Sequence, residues 1–352
     1  FSYANTTGHG IIGKHNLSKH NLTFRETSVL LNSRLKLDGS MNLMRQVVKN
    51  KPTVGGFYMN PLVGLYRFPR GEDISYYKEN FEVYDEGRNL NIQNWHTSYE
   101  DFEQNPYWIT NRILSKENRM HVIVSLSANL KINDWLSLQA RGNVDYINDK
   151  VRQQFYASTA PALAGANGRY IEMDYQETQY YGDAILMMKK QWDAFSLNAA
   201  LGASINDKTV NSTRYDSKTA SLKYANVFNL ANIIMNGSAG LDQKIDARRQ
   251  LQSLFATAQL GYNEFVYLDL SARNDWSSTL AYTSHEKSGF FYPSVGFSLI
   301  FNKLMTLPRW VSLAKIRGAY SMVGNDIPMF ITNPSSHITA GGEFLASDAA
   351  PF

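Results

Sequence analysis

Apolar and polar residues alternate along residues 265–275. Leu268 and Leu270 fall on one side of this stretch, and Asp269 and Arg273 fall on the other. Because successive side chains of a β-strand point to opposite faces, the pattern predicts a strand with one apolar and one polar face. Membrane-spanning barrels and soluble sandwiches both contain such strands, so the remaining segments must decide between them.

The same alternation recurs in nine further segments, so the sequence predicts ten strands. They cover residues 21–30, 34–44, 119–130, 135–146, 179–190, 195–205, 252–262, 265–275, 290–301 and 314–321. Tight turns alternate with long irregular connections, of which residues 46–116, 149–176 and 207–248 are the longest. Short periplasmic turns opposite long extracellular loops are typical of outer-membrane barrels, whose spanning strands need about 9–11 residues. The pattern therefore favours an all-β fold, a transmembrane antiparallel β-barrel, over a soluble sandwich.

The predicted strand directions bear on how much of a barrel the chain forms. The first predicted strand descends from a loop and the tenth rises into one, which puts both ends of the section on the extracellular side. Unpaired strand edges are not tolerated in lipid, so we expect a middle section of a larger barrel. Residues 1–352 are thus interpreted as part of a barrel domain, and residues 46–116 as a long extracellular loop.

Composition removes several other functions. No run of about 18 apolar residues occurs, so no transmembrane helix is predicted, and alternation hides barrel strands from the mean hydropathy of −0.35. The absence of cysteine excludes disulfides and thiolate metal sites, and 35 basic against 31 acidic residues gives no signature of nucleic-acid binding. The seven histidines lack metal-site spacing, and no nucleophile elbow or phosphate loop occurs. We expect no enzyme, no cofactor and no metal site.

A series of short motifs runs through the chain in a fixed order. It comprises YANT at 3–6, GGFYMNPL at 55–62, LYRFPR at 65–70, NPYW at 105–108, INDWLSL at 132–138, RNDWSS at 273–278, YPSV at 292–295, KIRGAY at 315–320 and GN at 324–325. With these motifs the chain resembles the SusC/RagA family of TonB-dependent outer-membrane transporters of Bacteroidetes.

The resemblance implies a 22-stranded barrel with an N-terminal plug domain, located in the outer membrane of a Gram-negative cell. It implies import of oligosaccharides, other glycans or peptides, driven by the TonB–ExbB–ExbD system and assisted by a SusD-like surface lipoprotein. No plug domain, TonB-contacting segment or C-terminal barrel strand is recognisable in this sequence, so we expect that the chain cannot transport alone.

Two sets of residues are candidates for function. Charged residues on the polar faces are predicted to face the lumen, where they line a translocation path or pair with one another or with a plug domain. These are Arg141, Asp145, Asp269, Arg273, Lys315 and Arg317. Aromatic residues of the longest loop are predicted to contact substrate or the lipoprotein, with internal packing as the alternative. These are Tyr58, Tyr66, Phe68, Trp95, Tyr107 and Trp108.

Two other classes of protein fit parts of the pattern. One is a structural or adhesive outer-membrane barrel that transports nothing. The other is a soluble carbohydrate-binding β protein, in which the apolar faces would form an ordinary core.

Overall fold

The computed structural model describes residues 1–51, 58–97, 103–218, 222–235, 240–308 and 310–332, and the backbone of 336–338 and 344–346. In chain order the strands are β1 (Ser2–His9), β2 (Asn16–Leu30), β3 (Leu35–Lys49), β4 (Glu82–Asp85), β5 (Leu90–Gln93), β6 (Ile113–Lys131), β7 (Leu136–Phe155), β8 (Arg169–Trp192), β9 (Phe195–Asp216), β10 (Gly240–Tyr262), β11 (Val266–Ser277), β12 (Phe290–Ile300), β13 (Lys315–Ser321), β14 (Ser336–Ile338) and β15 (Phe344–Ala346). The helices are α1 (Pro61–Arg67), α2 (Ile74–Glu79) and α3 (Pro106–Arg112), and single 3-10 turns cover Leu230–Asn232, Ser278–Leu280 and Phe301–Lys303.

Eleven of these strands form one antiparallel sheet in the order β1-β2-β3-β6-β7-β8-β9-β10-β11-β12-β13. Each strand therefore pairs with the next large strand along the chain, as in an up-and-down meander. The pairs β4-β5 and β14-β15 form separate two-stranded sheets. All ten predicted strands are present, which confirms the prediction of an all-β antiparallel fold.

The N-terminal strand β1 is a correction to the sequence-based prediction. It pairs with β2 from Ser2 opposite Thr23 to His9 opposite Asn16. Its residues are almost all exposed and show no apolar side, so alternation could not reveal it. The predicted first strand, residues 21–30, does run toward the short-turn end as part of β2, but β1 precedes it and runs the opposite way. The prediction that the section starts on the long-connection side is therefore wrong.

The loops predicted at 149–176 and 207–248 are longer than the loops of the structure, so their predicted bounds are also wrong. Strands β7 to β10 are 20, 24, 22 and 23 residues long, and they extend into both stretches from each end. The added segments do not alternate between an apolar and a polar face, and cross-strand ion pairs such as Arg119–Asp149 and Lys208–Glu177, both at 2.6 Å, connect them. Alternation of apolar residues therefore stops well before the backbone ladder does.

The connection between β3 and β6 is folded. It begins after Lys49 and ends before Ile113, slightly inside the predicted range of 46–116. The helices α1, α2 and α3 and the β4-β5 hairpin lie within it. Asn60 and Asn105 cap the first and third helices through their side-chain oxygens, and Pro61 and Pro106 follow in the first helical turn. Among the described residues, no helix has the length and apolar character needed to cross a membrane.

Burial in the sheet is the reverse of that in a soluble sandwich. Leu126, Leu201 and Leu254 are 60%, 53% and 50% exposed on the apolar face, whereas Asp183 and Ser253 on the polar face are buried. The dry apolar clusters lie instead at the long-connection end. One consists of Ile109, Ile113, Phe155, Ala164 and Ile171, and the other of Tyr170, Leu222 and Ile233. A contiguous exposed apolar face indicates contact with another apolar phase or surface.

Candidate functional site

A line of polar residues crosses the polar face at one level of the sheet. In the pairing register, each member of this line lies directly opposite the next one on the neighbouring strand. The members are Asp38, Ser127, Arg141, Asp183, Ser204, Ser253 and Asp275. We call this line the polar row. It spans seven strands, β3 to β11, without an apolar member, so this face can sustain contact with water or with a polar molecule.

The ion pair between Arg141 and Asp183 lies at the centre of the polar row. The guanidinium donates to the carboxylate of Asp183 from Nε and Nη2, with Nη2 at 2.7 Å from Oδ2. The Tyr181 hydroxyl donates to the same Oδ2 at 2.6 Å. The Asp183 side chain has no exposed surface, so these donors replace water around a buried charge.

Three other predicted lumen residues also have polar partners. The Asp145 carboxylate lies 2.7 Å from His121 Nε2, and Gln259 Nε2 donates to Asp269 Oδ1 at 2.7 Å. Arg273 binds Asp275 on its own strand at 2.7 Å and Ser253 on β10 at 2.9 Å. Asp269 and Arg273 thus have partners within the β10-β11 hairpin.

Lys315 and Arg317 lie on the polar face of the exposed strand β13, and the described part of the chain provides no ion pair for either. None of the six predicted residues pairs with another of the six. The structure brings all six to one face of the sheet, and their lumenal role stays a prediction.

Two adjoining cavities lie along the polar face toward the short-turn end. The first, about 870 Å³, is lined from the β6-β7 turn across to Ser294 of β12, and the second, about 820 Å³, is lined by Lys315 and Arg317. Gln259, Asp269 and Ser294 line both. Their volumes are within the range of ligand pockets, and the mixture of hydroxyl, amide and charged groups suits a polar occupant.

Two aromatic side chains on the polar face lie flat against glycines, which sequence reasoning missed. A Cβ at Gly202 would lie 2.4 Å from Phe255 Cζ, and one at Gly261 would lie 3.0 Å from Tyr267 Cε1. The Arg273 guanidinium lies 5.8 Å from the centre of the Phe255 ring, on the same face. Each glycine is opposite its aromatic residue in the register, and that register is a property of the folded sheet.

The loop aromatics do not form one surface. Phe68 and Trp95 meet at a ring distance of 5.3 Å, and Tyr77 and His96 complete a compact cluster with them. Trp108 is completely buried, and its indole Nε1 donates to Thr159 Oγ1 at 3.1 Å. The burial of Trp108 agrees with the alternative that this aromatic residue packs inside the loop.

The other three predicted contact residues differ in exposure. Tyr66 is 87% exposed, whereas Tyr58 and Tyr107 are half-buried. Tyr66 lies on α1 near the exposed side chains of Leu62 and Leu65, so it is the predicted contact residue with the most surface to offer a partner.

Glu103 is a buried carboxylate that holds the folded connection together. Arg67 Nε lies 3.1 Å from it, His96 Nε2 lies 3.0 Å from it, and the Trp95 and Thr97 side chains donate to it. This arrangement joins the end of α1 to the segment before α3. It positions loop side chains and includes no group poised for chemistry. Within the described ranges no three His, Asp or Glu side chains converge as a metal site.

Charged groups also stabilise the long-connection end of β8 and β9. Burial alone would raise the pKa of Asp216, but bonds from Arg169 at 2.8 Å and from the Lys218 amide, with Arg214 nearby, outweigh it and hold that pKa below its ordinary value. Burial, with the hydrogen bond to Glu172, raises the pKa of Tyr170 to about 12. Both groups therefore hold one charge state across neutral pH.

Taken together, the chain is a single large up-and-down antiparallel sheet with an exposed apolar face and a polar face that carries buried charge. Solved structures with this fold include a chain of "Structure of the RagAB peptide transporter", with 17% identity, a TM-score of 0.73, and coverage of 98% of this chain and 37% of that one. A RagAB peptide importer in the "open-open" state matches with 17% identity, a TM-score of 0.69 and the same coverage. FpvA of P. aeruginosa bound to heterologous pyoverdines matches with 14% identity and a TM-score of 0.53, over 84% of this chain and 35% of that one.

At these identities the likeness shows the fold, and this chain spans only 37% of the RagAB chains that it matches. No family model and no curated protein matches the sequence. The RagAB matches confirm the resemblance that the motifs indicated. The matched proteins are described as transporter chains and a protein bound to pyoverdines.

Proposed function

We propose that this chain forms part of the barrel wall of a TonB-dependent importer in the bacterial outer membrane. The observation that carries the proposal is the reversed burial of the sheet. Leucines at the centre of several strands are half-exposed, while Asp183 and Ser253 on the other face are buried. Lipid would cover the first face, and an aqueous or protein-filled lumen would suit the second.

The two edges of the sheet indicate what completes the wall. Among the described residues, β1 and β13 each pair on one side only. Backbone groups left unpaired in lipid cost several kcal/mol each (order of magnitude). Further strands must therefore close the barrel in the membrane, as the resemblance to 22-stranded transporters implies. In this proposal the chain contributes one continuous section of that wall.

We base the proposed substrate classes on the comparisons and the motifs together. The RagAB chains are described as belonging to a peptide transporter, so peptides are the first class to test, and oligosaccharides are the alternative implied by the SusC resemblance. The polar row and the adjoining cavities, with hydroxyls, amides and both signs of charge, would accommodate either class.

A SusD-like surface lipoprotein is the proposed partner at the long-connection end. The exposed Leu62, Leu65 and Tyr66 of α1 form the apolar part of the surface that it would cover. Energy would come from the TonB–ExbB–ExbD system through parts of the importer outside this sheet.

The membrane assignment is tested with the full-length protein purified in detergent. We expect it to aggregate when detergent is withdrawn and to remain folded in lipid vesicles. A monodisperse, folded protein in plain buffer would contradict the barrel assignment and favour the soluble carbohydrate-binding alternative.

The import assignment is tested in the producing cell. Deletion of the gene should abolish uptake of labelled peptides or of one labelled oligosaccharide, and complementation should restore it. Unchanged uptake and growth on every peptide and glycan source tried would favour a structural or adhesive barrel.

A further inference from the structure

The segment after β13, residues 322–332, turns back across the sheet. The Met322 amide donates to the Pro293 carbonyl of β12 at 3.0 Å. Farther along, the Thr332 hydroxyl donates to the Thr279 carbonyl at 3.1 Å. The segment therefore passes from the edge strand over β12 to the start of the β11–β12 connection. We call residues 322–332 the strap.

One carboxylate anchors the middle of the strap. Asp326 accepts hydrogen bonds from Ser277 Oγ at 2.7 Å and from the Thr279 hydroxyl, and its Oδ1 also accepts the Ile327 amide at 2.8 Å. Arg249 Nη2 of β10 lies 2.5 Å from its Oδ2. Only 16% of the Asp326 side chain is exposed. Donors from β10, from β11 and from the following turn thus converge on one acidic group of the strap.

The strap also provides the charge partner for Arg249. Within the described residues Arg249 pairs with Asp326, and its Nε is buried without a hydrogen-bond partner. The preceding residue, Arg248, pairs instead with Asp207 of the neighbouring strand β9. The sheet therefore satisfies the charge of Arg248 and leaves that of Arg249 to the strap.

We propose that Asp326 is a latch that closes the strap over the β10-β12 end and thereby fixes the β11–β12 connection, residues 278–289. Thr279 carries two of the contacts, one through its hydroxyl and one through its carbonyl. It is also the second residue of that connection. Any movement of the strap therefore changes the position at which the connection leaves the sheet.

The latch holds by charge-assisted hydrogen bonds, which are stronger than neutral ones. Without the carboxylate, the strap keeps the neutral bonds of Met322 and Thr332, and the Arg249 guanidinium loses its partner. Release of Asp326 is then expected to free the strap and the connection together, while the β-ladder beneath them stays intact.

The latch is tested by amide hydrogen exchange of the full-length protein in detergent. D326N should speed exchange in both 322–332 and 278–289 by about tenfold, the order expected from loss of a charge-assisted bond. The matched control is D207N, which breaks the pair between Asp207 and Arg248, the residue next to Arg249. It should leave the exchange rates of both segments unchanged. Unchanged exchange in D326N would overturn the latch, and faster exchange confined to 322–332 would overturn its link to the connection.

A second variant tests the latch from the other side in case D326N does not assemble. R249Q removes the charge that Asp326 binds and should loosen the same two segments. Because residues 1–352 contain no cysteine, M329C adds to the strap a thiol for spin labelling that is unique within this section. We expect a narrower, more mobile spectrum when R249Q is combined with M329C than with M329C alone. Identical spectra would overturn the proposal.

Discussion

An arginine at Leu270 would test which face of the sheet meets lipid. Leu270 is 40% exposed, and it lies directly opposite Ala258 on β10 and Val295 on β12. Ala258 is the central residue of the outward apolar series of β10, which runs from Leu254 to Tyr262. This register puts Leu270 near the middle of the apolar zone.

The expected cost follows from that depth. An arginine on the lipid face of a barrel costs about 2–4 kcal/mol at the bilayer midplane and about 0–1 kcal/mol near the interface. Leu270→Arg should therefore lower the free energy of unfolding by about 2–4 kcal/mol. Val266→Arg, opposite Tyr262 and beside the tight turn, should cost about 0–1 kcal/mol.

The matched control places the same side chain on the other face. Ser271 is the next residue along β11, it is exposed, and it lines the larger cavity of the polar face. Ser271→Arg adds the same charge and length as the variant at Leu270, yet it leaves the guanidinium among polar groups. We expect the free energy of unfolding to change by no more than about 1 kcal/mol in either direction, as for ordinary surface substitutions.

The measurement is guanidinium-induced unfolding of the full-length protein from lipid vesicles, followed by tryptophan fluorescence, with free energies taken from linear extrapolation. We expect Leu270→Arg to lower the free energy of unfolding most, and Val266→Arg and Ser271→Arg to lower it less and by similar amounts. Equal costs at positions 270 and 271 would refute the face assignment. Equal costs at positions 266 and 270 would refute the assigned depth.

Three further predictions concern packing, buried charge and pH. Gly202→Ala should destabilise by about 1–3 kcal/mol because the new methyl group meets the Phe255 ring, and thermal unfolding measures the loss. Arg141→Met should cost about 3–5 kcal/mol because it leaves the Asp183 carboxylate buried and unpaired, which chemical unfolding measures. The folded pKa of Asp216 lies below its ordinary value of 3.8, so its stabilisation is full above that value and is lost as pH falls through the folded pKa. Protection of the 216–218 amides, measured relative to their intrinsic exchange at each pH, should therefore fall below pH about 4.

Each of these predictions has a companion variant. Phe255→Leu should recover part of the loss caused by Gly202→Ala, and no recovery would argue against the ring contact. Arg119→Gln breaks a pair whose aspartate keeps 17% of its side chain exposed, whereas that of Asp183 has no exposed surface. It should therefore cost only about 0–1 kcal/mol, and a cost equal to that of Arg141→Met would contradict the role of burial. Asp216→Asn should remove the acid-dependent loss of protection at 216–218.

Alternation predicted strands only where one face of the sheet is apolar. For β8 the prediction covered 179–190, whereas the strand runs from Arg169 to Trp192. The added residues do not alternate between an apolar and a polar side, and ladder bonds and ion pairs with β7 and β9 contribute to their stability. A local pattern contains no sign of those partners. Strand β1 likewise has no apolar side.

The sequence predicted which face of the sheet each candidate residue lies on, but it did not predict which residues contact one another. Periodicity placed Arg141 and Asp269 on the polar side correctly, but their partners follow from the register between strands. In the long connection, aromatic residues were visible as a group, yet the burial of Trp108 depends on Thr159, which lies 51 residues away. The central position of Glu103 likewise requires Arg67 and His96 to converge.

The length of β8 would determine how far the wall of the proposed barrel extends beyond the membrane. About ten of its residues lie beyond the alternating segment, which at roughly 3.3 Å each gives a wall about 33 Å long along the strand. A collar of hydrogen-bonded sheet is stiffer than loops of equal length, so little ordering entropy is lost when something binds to it. In the proposed barrel, a ligand that binds to this wall would therefore do so beyond the headgroup layer.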